Sequence, residues 1–396
     1  MHKKYLLLVN FMMPAMLLNS VGVVILMLNS QGGVDLSSVG WIQPFKDGAV
    51  LIGSLLLISF ITRFGYKIAM QVGCLLEILA CLLMGTFDGV FSAYLFFVMA
   101  GVAFALLKIA IYSAVSLITD DKDEHAGIIS LYEGGFMVSI FIANGLFAWM
   151  IHLQSWNSTF YIFAFFAAIS LICTFFIHFD MPQLKKGKSD SSQYRKVLTL
   201  FSKPAVLLFL LLILCYPLIE QGVIDFLPTF QATVLDLSHA KSVLIASLLP
   251  VMIAAGRICF GFIAKYIELK KALIGTTILA ILLLIVSLVS AQMTHIHPSF
   301  SYIAMWLLPC LGFFIAPIYP SLNSSLLSSQ PKDYQSAVTL LIMIFSAIGG
   351  SIGSVAMGYL FHYIGGIEAF SLYIVVLIII LLLLVPYFKL LQRSRV

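Results

Sequence analysis

Eight ionisable side chains lie inside long apolar stretches of this sequence: Lys46, Asp47, Glu77, Lys108, Glu133, Glu220, Asp225 and Arg257. Near the centre of a hydrocarbon layer such a group costs roughly 2.5 kcal/mol or more, so each needs a partner or a task. Two kinds of chemistry are open to them. A carboxyl group in a low-dielectric interior is protonated more readily than one in water, and a nearby cation opposes that, so it can load and release a proton. A buried lysine or arginine holds an anion, supplied either by the chain or by a ligand.

Glu220 is the favoured proton-loading residue, with a fixed structural hydrogen bond as its alternative; Glu133, and behind it Glu77, come next. Lys108 stands about 16 residues into its span, about 24 Å along the axis, too deep to reach the surface comfortably. It either meets an anionic group of a ligand, such as a carboxylate, or pairs with Glu77 or Glu133 to brace the bundle. Lys46 and Asp47 are adjacent, so they point about 100° apart; one lines an interior cavity, or both snorkel to the nearby surface. Arg257 reads as a gate or a snorkelling cation, and Asp225, nearer a span end, as a hydrated carboxylate.

Other chemistry is poorly supplied. The six cysteines fall in apolar stretches without C-x-x-C spacing and read as packing residues, so neither a redox motif nor a zinc site is expected. His295 and His297 form an H-x-H without nearby acids, which is too little for a metal. With no Walker A sequence, kinase set or G-x-S-x-G elbow, the chain is not expected to be an enzyme or to need a cofactor. Its work must draw on a gradient.

These residues must be positioned by elements that live in lipid. Of 396 residues, 61% are hydrophobic and only 10% charged, and the mean hydropathy is +1.07. A soluble chain would be about a quarter charged, so soluble enzymes, nucleic-acid-binding modules and disulfide scaffolds are excluded. A helical span needs about 20 residues. The sequence divides into twelve stretches of that order, near 5–29, 41–62, 68–86, 92–118, 127–151, 158–179, 204–232, 239–262, 271–292, 299–325, 336–361 and 367–388. Runs such as VVLIIILLLLV do not alternate, which argues against a transmembrane barrel.

With both termini in the cytoplasm, 18 of the 22 lysines and arginines fall in cytoplasmic loops or tails, as the positive-inside rule expects. The opening MHKKYLLLVN reads as the start of an uncleaved first span, because its apolar run is too long for a signal peptide. A basic loop at 180–203 separates residues 1–179 from 204–396, six spans each, as a solvated linker.

The halves resemble each other. IAIYSAVSLI and APIYPSLNSS align Tyr112 with Tyr319, and GGFMVSIFIANGLFAW and GGSIGSVAMGYLFHY align Gly134 with Gly349, each pair about half the chain apart. The glycine-rich stretches suit close helix approach. Arg63, Gly65 and Lys67 keep the basic turn after the second span, with Thr62 in place of an acid, and AKYIELKK is its degenerate counterpart.

On these residues the chain resembles the major facilitator superfamily, and within it the proton symporters similar to fucose permease, including TsgA-like members. YPLIEQGVIDFLPTF matches that group's Y-x-x-x-E and [WF]-L-P-x-[YF] pattern at Tyr216, Glu220, Phe226, Leu227, Pro228 and Phe230. Gly256 and Arg257 resemble the G-R pair of the second bundle. The resemblance implies an all-α membrane protein, 12 transmembrane helices in two pseudo-symmetric six-helix bundles, with the first, fourth, seventh and tenth helices lining the cavity. Together with the charges read above, the candidate substrate contacts are Asn19, Lys46, Lys108, Tyr112, Glu220 and Tyr319, the proton-coupling candidates Glu220, Glu133 and Glu77, and the gating candidates Arg63 and Arg257.

The group's acids in the first and fourth spans are absent, since the first span offers Asn10 and Asn19 and the fourth carries Lys108. The expected function is therefore proton-coupled transport of a small polar, anionic solute, an organic acid or a carboxylate-type siderophore, across the inner membrane by alternating access. A sugar/proton symporter and a drug or metabolite efflux transporter are the alternatives. The expected partners are the small-molecule substrate, protons and the bilayer, for a monomer that binds no nucleic acid.

Overall fold

A computed structural model of the chain describes residues 2–118, 122–177, 199–263, 266–331 and 334–393. Among these residues every regular element is a helix. Eleven helical segments are long and apolar enough to cross a bilayer. A further helix, Ile42–Phe64, has 23 residues and so the length of a span, and it carries Lys46, Asp47 and Arg63. Large apolar side chains such as Leu56, Phe165 and Leu382 are exposed on the helices, the arrangement expected where the surrounding solvent is hydrocarbon.

The chain forms two compact units, the first comprising 2–177 with 239–244 and the second 199–238 with 245–393. Of the basic segment 180–203, only 199–203 lies within the described residues.

The first unit holds α1 (His2–Leu18), α2 (Val21–Ser30), the short α3 (Leu36–Val39), α4 (Ile42–Phe64), α5 (Tyr66–Thr86), α6 (Val90–Ile118), α7 (Lys122–His152) and α8 (Ser158–Phe175). The central helix is α6, with α4, α5 and α1 packed along it, while α8 lies on α5. The stripe Tyr66, Ala69, Met70, Gly73, Cys74, Glu77, Ala80, Cys81 and Met84 on α5 is buried, which is the spacing of one helix face.

The first span is broken. Pro14 lies within α1 and cannot donate a helical hydrogen bond. Beyond it, Asn19 Nδ2 donates to Ala15 O at 2.9 Å and Ser20 Oγ to Leu17 O at 2.7 Å. Side chains there compete with the backbone for carbonyls, and the helix stops at Leu18 before resuming at Val21.

The second unit holds α9 (Pro204–Thr233), the last residues of α10 (His239–Ala246), whose residues 239–244 belong to the first unit, α11 (Leu248–Ile263), α12 (Leu269–Gln292), α13 (Ser299–Ile315), α14 (Ile318–Ser329), α15 (Gln335–Ile364) and α16 (Gly366–Arg393). Pro204 opens α9 at a position where no amide hydrogen is needed. Two further expected spans are interrupted here, between α10 and α11 and between α13 and α14.

The longest packing seam in this unit joins α9 to α15. Gly349 and Gly353, one turn apart on α15, back onto the carbonyls of Leu214 and Leu218, and a Cβ at either position would fall on the carbonyl oxygen. Only a residue without a side chain lets the backbones approach this closely. Gly353→Ala is therefore expected to destabilise the protein by about 1–3 kcal/mol, the usual cost of overpacking. A lower unfolding midpoint in detergent checks this, and an unchanged midpoint would mean that the seam is looser.

Candidate functional site

In the first unit, helical spacing puts Phe104, Lys108 and Tyr112 on one face of α6. The Lys108 ammonium lies 5.3 Å from the Phe104 ring centre and 5.4 Å from that of Tyr112. Phe11 of α1 packs on Tyr112 at 5.4 Å and on Phe136 of α7 at 5.5 Å, which closes an aromatic group around the lysine's helix. The Tyr112 hydroxyl donates to Glu133 Oε1. Lys108 makes no ion pair among the described residues. The pairing with Glu77 or Glu133 weighed from the sequence is thus not formed: Glu133 is engaged by a neutral hydroxyl, and the lysine rests on ring faces, where a cation gains about 0.5–2 kcal/mol.

Glu77 lies apart from this group. It is wholly buried on α5, and neither carboxylate oxygen meets a hydrogen-bond partner among the described residues. One turn earlier, Asn10 Oδ1 accepts from Ser170 Oγ at 2.9 Å and from Cys74 Sγ at 3.3 Å, a polar interior contact that ties α1, α5 and α8 together. Periodicity did not announce this network, because its members are small and spaced far apart in the chain.

The broken first span explains Lys46. Its ammonium donates to Leu18 O at 3.3 Å, and the residue is only 8% exposed. Stopping α1 at Leu18 leaves that carbonyl without an amide one turn ahead, at the negative end of the helix, where a cation is favoured. Snorkelling is therefore not what Lys46 does. The neighbouring Asp47 points elsewhere and accepts from Gln43 Nε2 at 3.1 and 3.2 Å. Asn19 and Lys46 both sit at this break, joined through the α1 terminus rather than to each other.

Arg63 is exposed, its guanidinium 5.3 Å from the Phe64 ring centre. It makes no ion pair among the described residues, whereas Lys67 donates to Phe175 O at 3.1 Å, at the end of α8. The basic turn thus caps a helix.

In the second unit the charged residues meet. Tyr216 and Glu220 are one turn apart on α9, and the Tyr216 hydroxyl donates to Glu220 Oε1 at 2.8 Å. Arg257 of α11 places Nη2 at 3.3 Å from the same oxygen. Arg257 is thus a paired cation rather than one snorkelling alone. Tyr319 of α14 stacks on Tyr216 with ring centres 5.5 Å apart, and its hydroxyl lies 3.0 Å from Ser346 Oγ on α15. Tyr216 and Glu220 were readable from their i, i+4 spacing, but Ser346 carried no signal in sequence. Asp225, read as hydrated, is instead 1% exposed and faces Tyr373.

Each unit therefore carries a cation, tyrosines and a glutamate, of which only Tyr112 and Tyr319 lie on helices that correspond across the internal repeat. Among the described residues, no group of three or more His, Cys, Asp or Glu is arranged to hold a metal ion. The model of the Major Facilitator Superfamily matches residues 6–354. The chain belongs to that superfamily. The same fold is found in a mutant form of the nucleoside transporter NupG, with a TM-score of 0.80 at 11% identity, covering 98% of this chain and 100% of that one. A bacterial homologue of the human lysosomal transporter Spinster, inward-facing and occupied, gives 0.76 at 13% identity, covering 99% and 98%. A POT family transporter in complex with 5-aminolevulinic acid gives 0.73 at 15% identity, covering 96% and 95%. A search of curated proteins finds no match. This facilitator-superfamily chain is thus a multi-pass membrane transporter and not an enzyme, and these distant likenesses establish its fold alone.

Proposed function

We propose that this protein is a proton-coupled secondary transporter that moves a small anionic solute, an organic acid or a carboxylate-type siderophore, across the inner membrane. It works as a monomer with both termini in the cytoplasm, by the alternating access general to its fold. The carrying observation is Lys108, a cation within a span that rests on aromatic faces and has no carboxylate of its own among the described residues. Such a charge needs an anion, and a solute carboxylate satisfies it. In the second unit, Glu220 beside Arg257 is the proton-loading group. The POT structure lends support, since its ligand, 5-aminolevulinic acid, carries a carboxylate.

Asn19, Lys46, Lys108, Tyr112, Glu220 and Tyr319 contact the solute in this reading, Glu133 and Glu77 assist proton movement, and Arg63 and Arg257 serve as gates. The test is uptake into proteoliposomes under an imposed pH gradient, with labelled lactate, succinate, citrate and a neutral sugar. Accumulation of one of the carboxylates, abolished by a protonophore, is the expected result. Accumulation of the sugar alone would overturn the anionic assignment, and gradient-independent equilibration would overturn coupling.

A further inference from the structure

The Arg257 guanidinium is poorly served by Glu220. Its ion pair runs through Nη2 at 3.3 Å to a single carboxylate oxygen that Tyr216 already engages at 2.8 Å, and its other hydrogen-bond partner among the described residues is the neutral Tyr216 hydroxyl. Its Nε is buried and has no acceptor. Guanidinium offers its donors in a planar fork, and the arrangement that satisfies it is a carboxylate held by two parallel hydrogen bonds. Glu220 does not supply that arrangement. The Arg257 side chain is nevertheless 38% exposed, against 14% for Glu220. Exposing a charged fork to lipid is expensive, so this open part calls for a polar partner.

We infer that Arg257 is a binding residue for the carboxylate of the transported solute, and that Glu220 is the internal competitor which holds the fork when no solute is bound. This rests on the transport reading above, reassigns Arg257 from gate to ligand contact, and makes Glu220 the solute's competitor in place of a solute contact. A solute carboxylate accepts from Nε and an Nη of Arg257, and Glu220 leaves. Among the described residues, the titratable and charged groups facing the pair are Tyr216 on α9 and Tyr319 on α14, and none of them is a second cation to receive the displaced glutamate. Its carboxylate takes up one proton from the buffered aqueous phase, because an unpaired charge in this interior is strongly disfavoured. The balance is one proton taken up for each carboxylate bound, with the net charge of the site unchanged. Tyr216 and Tyr319, stacked beside the fork, favour a solute whose carboxylate is attached to a flat or unsaturated body.

The experiment measures equilibrium binding and so needs neither transport nor a gradient. The full-length protein in detergent is titrated with sodium acetate, lactate, succinate and benzoate to about 50 mM against sodium chloride at matched ionic strength, with thermal unfolding as the readout. Proton uptake is followed with an indicator dye. Glu220→Gln removes the competitor, so half-maximal stabilisation is expected at a concentration about tenfold or more below wild type, without proton uptake. Arg257→Lys keeps the charge but not the fork and is expected to weaken binding about tenfold.

Arg257→Gln is expected to abolish the response. Should that variant not fold, with Glu220 left buried beside no cation, the double variant Glu220→Gln, Arg257→Gln removes both charges and must also be unresponsive. Equal responses in wild type and Glu220→Gln, a wild-type response in either glutamine variant of Arg257, or no response of wild type and Glu220→Gln to any of the four anions would overturn the assignment. Tighter binding in Glu220→Gln without any proton-driven flux in the wild type would leave this inference standing and remove the coupling. Coupled uptake of a neutral solute with an inert Arg257 would do the reverse.

Discussion

Glu220→Gln is expected to abolish proton-driven accumulation while leaving exchange of solute for solute across the membrane intact. One pH unit corresponds to about 1.4 kcal/mol per proton, so a carrier coupled to one proton accumulates solute about tenfold across such a gradient. A glutamine at this position keeps the size and the hydrogen-bond acceptor that Tyr216 engages at 2.8 Å, but it cannot gain or lose the proton. The accumulation ratio should fall from about tenfold to unity. Counterflow of labelled solute into preloaded proteoliposomes should persist, because no net proton movement is required. Accumulation that survives in this variant would transfer the coupling role to Glu133 or Glu77. Loss of counterflow with retained binding would instead assign Glu220 to the conformational step.

Lys108→Ala carries the other large effect. If the lysine meets the solute's anionic group, its removal forfeits a charge-assisted contact worth about 1.5–3 kcal/mol, which raises the concentration for half-maximal uptake roughly tenfold to a hundredfold. The same substitution should disturb folding little. Lys108 supports no ion pair among the described residues, and its ring contacts are with Phe104 and Tyr112, its own helical neighbours. Lys108→Arg should recover part of the affinity, since the charge returns with altered geometry. Uptake by Lys108→Ala at wild-type rate and affinity would show the lysine to be a passive occupant of its aromatic surroundings.

Composition and hydrophobic period were enough to read the membrane setting, the helical class and the approximate ends of the spans. All three are set by the length of apolar run that hydrocarbon demands and by the need to satisfy every backbone group internally. The ionic residues were likewise visible one by one, because a charge in an apolar run stands out whatever the fold. The Tyr216 and Glu220 contact was legible as well, since residues four apart on a helix face the same way.

Who meets whom across helices was not legible. Lys108 had two acids at plausible depth and bonds to neither, Glu77 has no partner on either oxygen among the described residues, and Arg257 chose a glutamate on a different helix. Nor did the sequence announce that α1 ends at Leu18 and so offers its carbonyl to Lys46. Hydropathy reports depth along a span but not rotation about its axis, and in lipid the pairing of helices depends on small side chains and close backbone approach, as at Gly349 and Gly353. The amino-acid order therefore determined that charges lie in the membrane and on which helices, while tertiary packing decided which of them are neutralised and which are left to act, because pairing is a matter of a few ångströms between helices far apart in the chain.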